Sequence, residues 1–332
     1  MANALRRRSL LARSLLVTGA TLAAPVVARA QATIPHGTIR ILIGYPSSGG
    51  SDSMVHVIAG ALQRELGRTV TIDYKPGPSG SAAGEILKRS TPDGKVLAFM
   101  PSATMVGKLI KPGFPFDPLV DVLPLTLVGT YPTAFAVSPK IDVTNLAEYV
   151  AWLKAGDAKR ARFGTTTPDS FTQYFGTMVG REIGVPLEAV PYNGARTLVA
   201  DLEQDRIPAG TGGLTSFLVP QRGGRLRMLL TSAAKRSAMA PNVPTSLELG
   251  LPKLQQSNWY AFFAPPGMSA ALVAAWTTEL RAVLQSSEVR EQLQQMGLTV
   301  ETSTPAEMAA RLASDFKDWK AVLDSLGMKP IN

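Results

Sequence analysis

Two hydrophobic patterns alternate along most of the chain: short continuous apolar runs, and segments in which apolar residues recur at helical spacing. Short apolar runs, of which residues 39–43 are the first, have the length and the β-branched character of buried strands. After this run, apolar residues recur at helical spacing from Met54 to Leu66, and Gly67 ends the segment. Strand and helix patterns that alternate in this way are typical of parallel sheets covered by helices, so we predict an α/β fold.

The later parts of the chain continue this alternation. Residues 112–124 hold four prolines and are predicted to be irregular, whereas residues 125–137 are predicted to form one bent strand that leaves the first domain. A capping-box pattern at residues 304–307 predicts a final helix whose apolar face includes Trp319. Further strands are predicted at 70–74, 96–100, 162–165, 188–192, 226–231 and 259–263, and helices at 82–87, 146–154, 170–183, 196–203, 270–285 and 288–296.

The first thirty residues have the features of a cleavable export signal. Four arginines between positions 6 and 13 precede an apolar stretch over 15–27, and Ala28-Arg29-Ala30 predicts cleavage after Ala30. The stretch is short and interrupted by glycine and proline, which argues against a membrane-spanning helix. We favour the general secretory route, although Arg7-Arg8 also fits a twin-arginine signal. Either route predicts a periplasmic protein.

Composition narrows the classes of function that remain. The formal net charge is +9, but five arginines lie in the export signal, so the charge of the remaining chain is about +4. No basic run remains, which argues against nucleic acid as a partner. Cysteine is absent, which excludes disulfides, thiolate metal sites and a lipid-anchored cysteine. The remaining ~300 residues are enough for two domains of ordinary size.

The loop after the first predicted strand is the strongest candidate for a binding site. Gly44, Gly49, Gly50 and Ser51 come close to a phosphate-binding P-loop, but Gly50 replaces the lysine that the motif requires. A second loop of small residues, 78–81, follows the next strand. Loops between a strand and a helix direct backbone N–H groups at anions, and ligands of α/β sheets bind at these strand ends. The alternative is a pair of ordinary tight turns, with a cap at the start of the first helix.

Catalytic chemistry has little support in the sequence. The chain has two histidines, and it lacks the G-x-S-x-G nucleophile motif. Only Asp52 and His56 form an adjacent titratable pair, at helical i, i+4 spacing. We therefore predict no enzyme activity, no catalytic residues, no cofactor and no metal, while an exported hydrolase or isomerase acting on a carboxylate stays as the alternative.

Seven short motifs occur in order along the chain. The first is the loop that holds Pro46, Gly49, Gly50 and Asp52. The others are residues 76–80, 92–94, 190–194, 242–245, 248–250 and Trp259 with 264–267. Each motif alone is common, but their order and spacing over nearly the whole chain are specific. Together they resemble the motifs of the Bug, or TctC-type, extracytoplasmic solute receptors of tripartite tricarboxylate transporters.

The resemblance implies a two-domain periplasmic-binding-protein fold, or Venus flytrap, that closes on a ligand. The implied domains are residues 31–134 with 259–332, and residues 135–258, joined by crossing strands near 134–137 and 258–262. In such receptors one carboxylate of the ligand lies against the two loops of the first domain. The implied contacts are Ser48, Gly49, Asp52, Ser79 and Gly80 from the first domain, and Thr165, Thr166, Ser170, Tyr192, Gly212 and Gly213 from the second.

The implied function is capture of a small di- or tricarboxylate, or a related carboxylate, for delivery to a membrane permease. We expect a monomer. A receptor that signals to a histidine kinase would have the same sequence features. Three departures concern the ligand: Pro78 lacks an N–H donor, Asn193 stands where lysine is frequent, and Arg196 follows it. Arg196 is either a partner for a second anionic group or a solvated residue at the start of a helix.

Overall fold

The computed structural model of the protein describes residues 33–45, 47, 50–111, 113–166, 171–325 and 327. The predicted export signal and its cleavage site lie outside the described residues, as do three of the predicted contacts, Ser48, Gly49 and Ser170.

The strands and helices follow the predicted alternation closely. The strands are β1 (Ile39–Ile43), β2 (Val70–Tyr74), β3 (Val96–Pro101), β4 (Leu123–Tyr131), β5 (Thr133–Val137), β6 (Arg162–Thr165), β7 (Glu188–Pro191), β8 (Ala209–Gly213), β9 (Arg227–Thr231), β10 (Asn258–Ala264) and β11 (Thr299–Val300). The helices are α1 (Gly50–Leu66), α2 (Ser81–Arg89), α3 (Ser102–Ile110), α4 (Leu146–Lys154), α5 (Phe171–Glu182), α6 (Ala195–Glu203), α7 (Leu214–Arg222), α8 (Ala270–Gln285), α9 (Ser287–Gln295) and α10 (Pro305–Ser325). A short 3₁₀ turn, Pro78–Gly80, precedes α2.

Two separate sheets divide the structure into two lobes. The first lobe has the sheet β11-β4-β10-β3-β1-β2, covered by α1, α2, α3, α8, α9 and α10. The second lobe has the sheet β7-β6-β8-β5-β9, packed against α4 to α7. Each sheet has its own apolar core: Ile41, Phe262 and Trp276 are fully buried in the first lobe, and Phe135 and Phe163 in the second.

Both sheets are mixed rather than purely parallel. The predicted parallel arrangement is correct for β1 with β2 and β3 and for β6 with β7 and β8. However, β10 runs antiparallel to β3 and β4, and β5 runs antiparallel to β8 and β9. The sequence pattern does not report strand direction, because a strand buried on both faces is continuously apolar in either orientation.

The prediction of a single bent strand over 125–137 is wrong. This segment forms β4 in the first sheet and β5 in the second, with Pro132 between them. Proline has no N–H to donate to a sheet, so the pairing of β4 stops there, and the carbonyl of Pro132 accepts from Leu214 N at 2.9 Å. β10 lies wholly in the first sheet, so the chain has returned from the second lobe by Asn258.

The predicted capping box at the start of α10 is confirmed. The N–H of Thr304 donates to the Glu307 carboxylate at 2.8 Å, and the N–H of Glu307 donates to the Thr304 hydroxyl at 3.2 Å. The bonds that the Thr304 N–H and hydroxyl donate to the Glu307 carboxylate lower its pKa below the usual value. None of the helices in the described part of the chain combines the length and apolar character that a bilayer crossing requires.

We expect Thr304→Ala to lower the free energy of unfolding by about 1 kcal/mol at neutral pH, because it removes the cap of α10. The hydroxyl of Thr304 also bonds the Glu307 carboxylate, and this bond contributes to stability only while Glu307 is ionised. The difference in stability between Thr304→Ala and the wild type should therefore shrink as the pH falls through the lowered pKa of Glu307. The control is Thr278→Ala in the exposed middle of α8, where alanine is the better helix former. Urea denaturation at several pH values measures both variants, and an equal effect of the two would contradict the capping role.

Candidate ligand-binding site

A cavity of about 500 Å³ lies between the two lobes. Its walls come from the carboxyl ends of strands and from the amino ends of the helices that follow them. This is where ligands bind in open α/β sheets. The first lobe contributes Gly44, Tyr45, Gly50, Ser51, Pro76, Gly77, Ser79, Pro101, Ala103, Lys111, Tyr131, Asn258 and Tyr260. The second lobe contributes Thr166, Phe171, Thr172, Tyr192, Asn193, Gly194, Ala195, Gly213, Thr215 and Ser216.

The two small-residue loops predicted from the sequence lie against each other. A Cβ atom built on Gly44 would lie 2.1 Å from the carbonyl oxygen of Gly80, so the two backbones are in direct contact. Gly80 has a φ of 73°, and a Cβ there would meet the ring of Tyr45 and the hydroxyl of Thr104 at 2.7 Å. Glycine is therefore required at both positions by close approach, and at Gly80 by backbone conformation as well.

Ser79 is a strained residue with an unsatisfied hydroxyl at the wall of the cavity. Its φ of 52° is rare outside glycine, and its side-chain oxygen is buried without a hydrogen-bond partner. The carbonyl of Ser79 accepts from the Tyr45 hydroxyl at 3.2 Å, and the Thr104 hydroxyl lies 3.2 Å from the same Tyr45 oxygen. Backbone strain of this kind persists where the surrounding structure holds it, and it concentrates at ligand sites.

Asp52 lies in the first turn of α1, where its carboxylate contacts other side chains of the first lobe, and it does not line the cavity. Its carboxylate accepts from the Tyr74 hydroxyl and lies 3.3 Å from Nδ1 of His56. Burial and this carboxylate raise the pKa of Tyr74 to about 12. A negative charge in the first turn of a helix interacts favourably with the helix dipole. The lining residues of this helix are Gly50 and Ser51.

The amino ends of α1 and α7 meet across the cleft. A Cβ on Gly50 would lie 3.0 Å from the Thr215 hydroxyl, and one on Gly213 would lie 2.9 Å from the ring of Tyr131. The first N–H groups of a helix have no partner within the helix and lie at the positive end of its dipole, although in α7 the N–H of Leu214 donates to the carbonyl of Pro132. Two such ends that converge, with the hydroxyls of Ser51 and Thr215 beside them, form an environment that favours an anion.

Thr165, Thr166 and Tyr192, which were predicted to bind the ligand, lie at the wall of the cavity or directly behind it. Thr166 and Tyr192 line the cavity, whereas Thr165 is fully buried and its hydroxyl lies 2.7 Å from that of Thr172. The Tyr192 hydroxyl donates to Asp201 at 2.9 Å. Burial and this bond raise the pKa of Tyr192 to about 12, so the side chain stays neutral.

The structure therefore places only some of the predicted contact residues at the cavity. Of those it describes, Ser79, Thr166, Tyr192 and Gly213 line the cavity, whereas Asp52, Gly80, Thr165 and Gly212 are not part of its lining. Several lining residues were not predicted from the sequence, because they are distant along the chain or carry no motif. These are Tyr45, Lys111, Tyr131, Phe171, Thr215, Ser216 and Tyr260. Tyr45 alone had a usable signal, since it lies between the first strand and its glycine-rich loop.

The lining is almost neutral and rich in aromatic rings. Lys111 is the one charged side chain among the described lining residues. The described residues hold no cluster of three or more histidines or carboxylates that could bind a metal ion. Asp52 and His56, on which the enzyme alternative depends, both lie outside the described lining. The geometry supports binding of an anion with an apolar body.

Solved structures share this architecture. R. palustris Rpa4515 with adipate superposes with a TM-score of 0.83 at 22% identity, covering 90% of this chain and 99% of that one. MatC (Rpa3494) from Rhodopseudomonas palustris with bound malate superposes with a TM-score of 0.80 at 21% identity, covering 87% of this chain and 99% of that one. The protein thus has the two-domain fold of periplasmic binding proteins, as predicted.

Sequence similarity assigns the chain more narrowly. Residues 54–328 match the model of the tripartite tricarboxylate transporter family receptor, TctC, and the protein belongs to this family. Protein BugT of Bordetella pertussis is 28% identical over 317 residues, which cover 95% of this chain and 96% of BugT. The resemblance drawn from the seven motifs is confirmed. The family consists of solute-binding receptors rather than enzymes.

Proposed function

We propose that the protein captures a small organic acid, a di- or tricarboxylate or a related carboxylate, between its two lobes. It then delivers the ligand to a membrane permease of the tripartite tricarboxylate type. The observation that carries the proposal is the buried, unpartnered hydroxyl of Ser79, in a cavity where the amino ends of α1 and α7 meet. Adipate and malate in the two similar structures are consistent with a carboxylate ligand.

The proposal includes where the protein acts and how it moves. The predicted export signal would direct it to the periplasm, where we propose that it acts as a monomer. Residues 31–134 with 259–332, and residues 135–258, are the two bodies that close on the ligand. Closure is favoured because a ligand that touches both bodies binds the closed form more tightly. A sensor for a histidine kinase is the alternative use of the same site, and it predicts the same ligand.

Ligand-dependent stabilisation tests the proposal directly. A panel of carboxylates, sugars and nucleotides is added to the purified protein lacking residues 1–30, and unfolding is followed by heat. At a concentration a hundredfold above Kd, a carboxylate should stabilise the protein by ~2.7 kcal/mol. Stabilisation by a sugar or a nucleotide, with none from any carboxylate, would contradict the proposal. Turnover of a bound acid over hours would instead favour the enzyme alternative.

Ser79→Ala should lower the affinity for the most tightly bound carboxylate of that panel about tenfold or more, because it removes one hydrogen bond to a charged group. The stability of the free protein should stay the same or rise, since a buried hydroxyl without a partner is lost. Ser246→Ala is the matched control. Its hydroxyl is also buried and unpartnered, but Ser246 does not line the cavity, so affinity should not change. Titration calorimetry measures the affinity of both variants. An affinity of Ser79→Ala equal to that of the wild type would show that Ser79 does not bind the ligand.

A further inference from the structure

The cavity has more aromatic surface than the capture of a carboxylate requires. Five rings line it: Tyr45, Tyr131, Phe171, Tyr192 and Tyr260. They come from both lobes, and their positions in the sequence are far apart. The helix starts and the hydroxyls near them are enough to hold a carboxylate, so these rings are available to contact the rest of a ligand.

The tyrosine hydroxyls are largely engaged within the protein. Tyr45 donates to the carbonyl of Ser79 at 3.2 Å, and Tyr192 donates to Asp201 at 2.9 Å. The hydroxyl of Tyr260 lies against those of Tyr131 and Thr215, and burial raises the pKa of Tyr260 to about 12. What these side chains offer to a ligand is therefore mainly ring carbon, with no negative charge.

Two of the rings belong to a stack that is already formed. The ring of Tyr260 lies between those of Phe99 and Tyr131. Its centroid is 5.0 Å from that of Phe99, with an interplanar angle of 12°, and 4.8 Å from that of Tyr131, with an interplanar angle of 21°. Phe99 and Phe262 behind them are fully buried. Both faces of the Tyr260 ring are therefore covered, so Tyr260 presents its edge to the cavity and Tyr131 ends the stack. Rings held by core packing lose no side-chain entropy when a ligand contacts them, and a rigid ring loses less conformational entropy on binding than a flexible chain.

The charge of the lining argues in the same direction. Lys111 is its one charged side chain among the described residues. A tricarboxylate would bring three negative charges into this space, and each charge without a partner is costly to remove from water. A monoanion needs only the converging ends of α1 and α7.

We propose that the physiological ligand is an aromatic monocarboxylate, with its carboxylate at the starts of α1 and α7 and its ring among Tyr131, Phe171, Tyr192 and Tyr260. This rests on the proposed function and narrows it. Within the class of organic acids that the receptor could take, the lining selects for a flat apolar body and against a second or third carboxylate. A cavity of about 500 Å³ accommodates an acid of this size.

The test compares affinities within one panel of acids: benzoate, 3-phenylpropionate, cyclohexanecarboxylate, adipate and citrate. Titration calorimetry should show an aromatic acid binding at least tenfold more tightly than adipate and citrate. It should also bind about two- to tenfold more tightly than the saturated ring acid, from aromatic contact alone. Tighter binding of adipate or citrate would overturn this inference but leave the proposed function standing. No binding of any acid would overturn both.

A substitution separates ring contact from simple filling of space. Tyr192→Leu should reduce the preference for an aromatic over a saturated ring acid, because it replaces one ring of the wall by an aliphatic side chain. Trp152→Leu is the control, since Trp152 stacks on Tyr149 in the second lobe away from the cavity and should leave the preference unchanged. An unchanged preference in Tyr192→Leu, with the fold intact by circular dichroism, would contradict the role of this ring.

Discussion

Replacing Gly44 by alanine is expected to destabilise the protein by about 3 kcal/mol or more and to abolish carboxylate binding. The new Cβ would lie 2.1 Å from the carbonyl oxygen of Gly80 and 2.6 Å from its Cα. Both atoms are backbone, so no side chain can rotate away, and the two loops would have to separate. Because Ser79 precedes Gly80, this separation would also displace the buried hydroxyl at the site.

Gly60→Ala in the middle of α1 is the matched control for Gly44→Ala. The nearest heavy atom to a Cβ at Gly60 is the flexible end of Arg64, at 3.9 Å. Alanine should therefore stabilise the helix by about 0.5–1 kcal/mol and leave affinity unchanged. Urea denaturation and calorimetry measure both variants. Wild-type stability and affinity in Gly44→Ala would show that the two loops do not meet in solution.

The second large effect is expected at Trp319, where the two lobes share an apolar contact. The ring of Phe171 on α5 meets Trp319 on α10 edge-on, with centroids 3.6 Å apart at 82°. Val106, Tyr174 and Leu323 complete this cluster, which joins α3 and α10 of the first lobe to α5 of the second. Trp319→Ala should cost about 3–5 kcal/mol of stability through the cavity it leaves.

Ligand affinity should also fall in Trp319→Ala, although Trp319 does not line the cavity. Phe171 contacts both the cavity and Trp319, so losing this contact should weaken the closed arrangement that the ligand stabilises. Trp152→Ala, which removes a half-buried tryptophan within the second lobe, should cost less and leave affinity unchanged. Small-angle scattering with and without ligand reports closure. A normal ligand-induced compaction in Trp319→Ala would exclude a role of this contact in closure.

The elements of this fold were predictable because they depend on local sequence. The strand at Ile39–Ile43, helix α8 at Ala270–Gln285 and the capping box at Thr304 occur as predicted. Hydrophobic period, helix caps and turn residues act over a few neighbouring positions, so a single sequence contains them in full. The family was predictable for a related reason, since its motifs are short and ordered.

Helix α3 and the division of residues 125–137 between two sheets were not predicted. Residues 102–110 of α3 include Gly107 and β-branched residues, so their local preference for a helix is weak. Pro132 is compatible with a bend in one strand or with a change of sheet. Only the partners of β4 and β5 decide between these, and those partners lie between about 70 and about 170 residues away in the sequence.

The sequence by itself determined that two small-residue loops follow two early strands, and it placed Ser79 and Gly80 in the second of them. Only the tertiary structure decided that Gly44 touches Gly80, that Ser79 keeps a buried hydroxyl without a partner, and that Asp52 turns to Tyr74. It also brought Tyr131, Phe171 and Tyr260 to one cavity. The physical reason is that close approach and burial depend on packing between segments distant in the chain, whereas sequence patterns report neighbours.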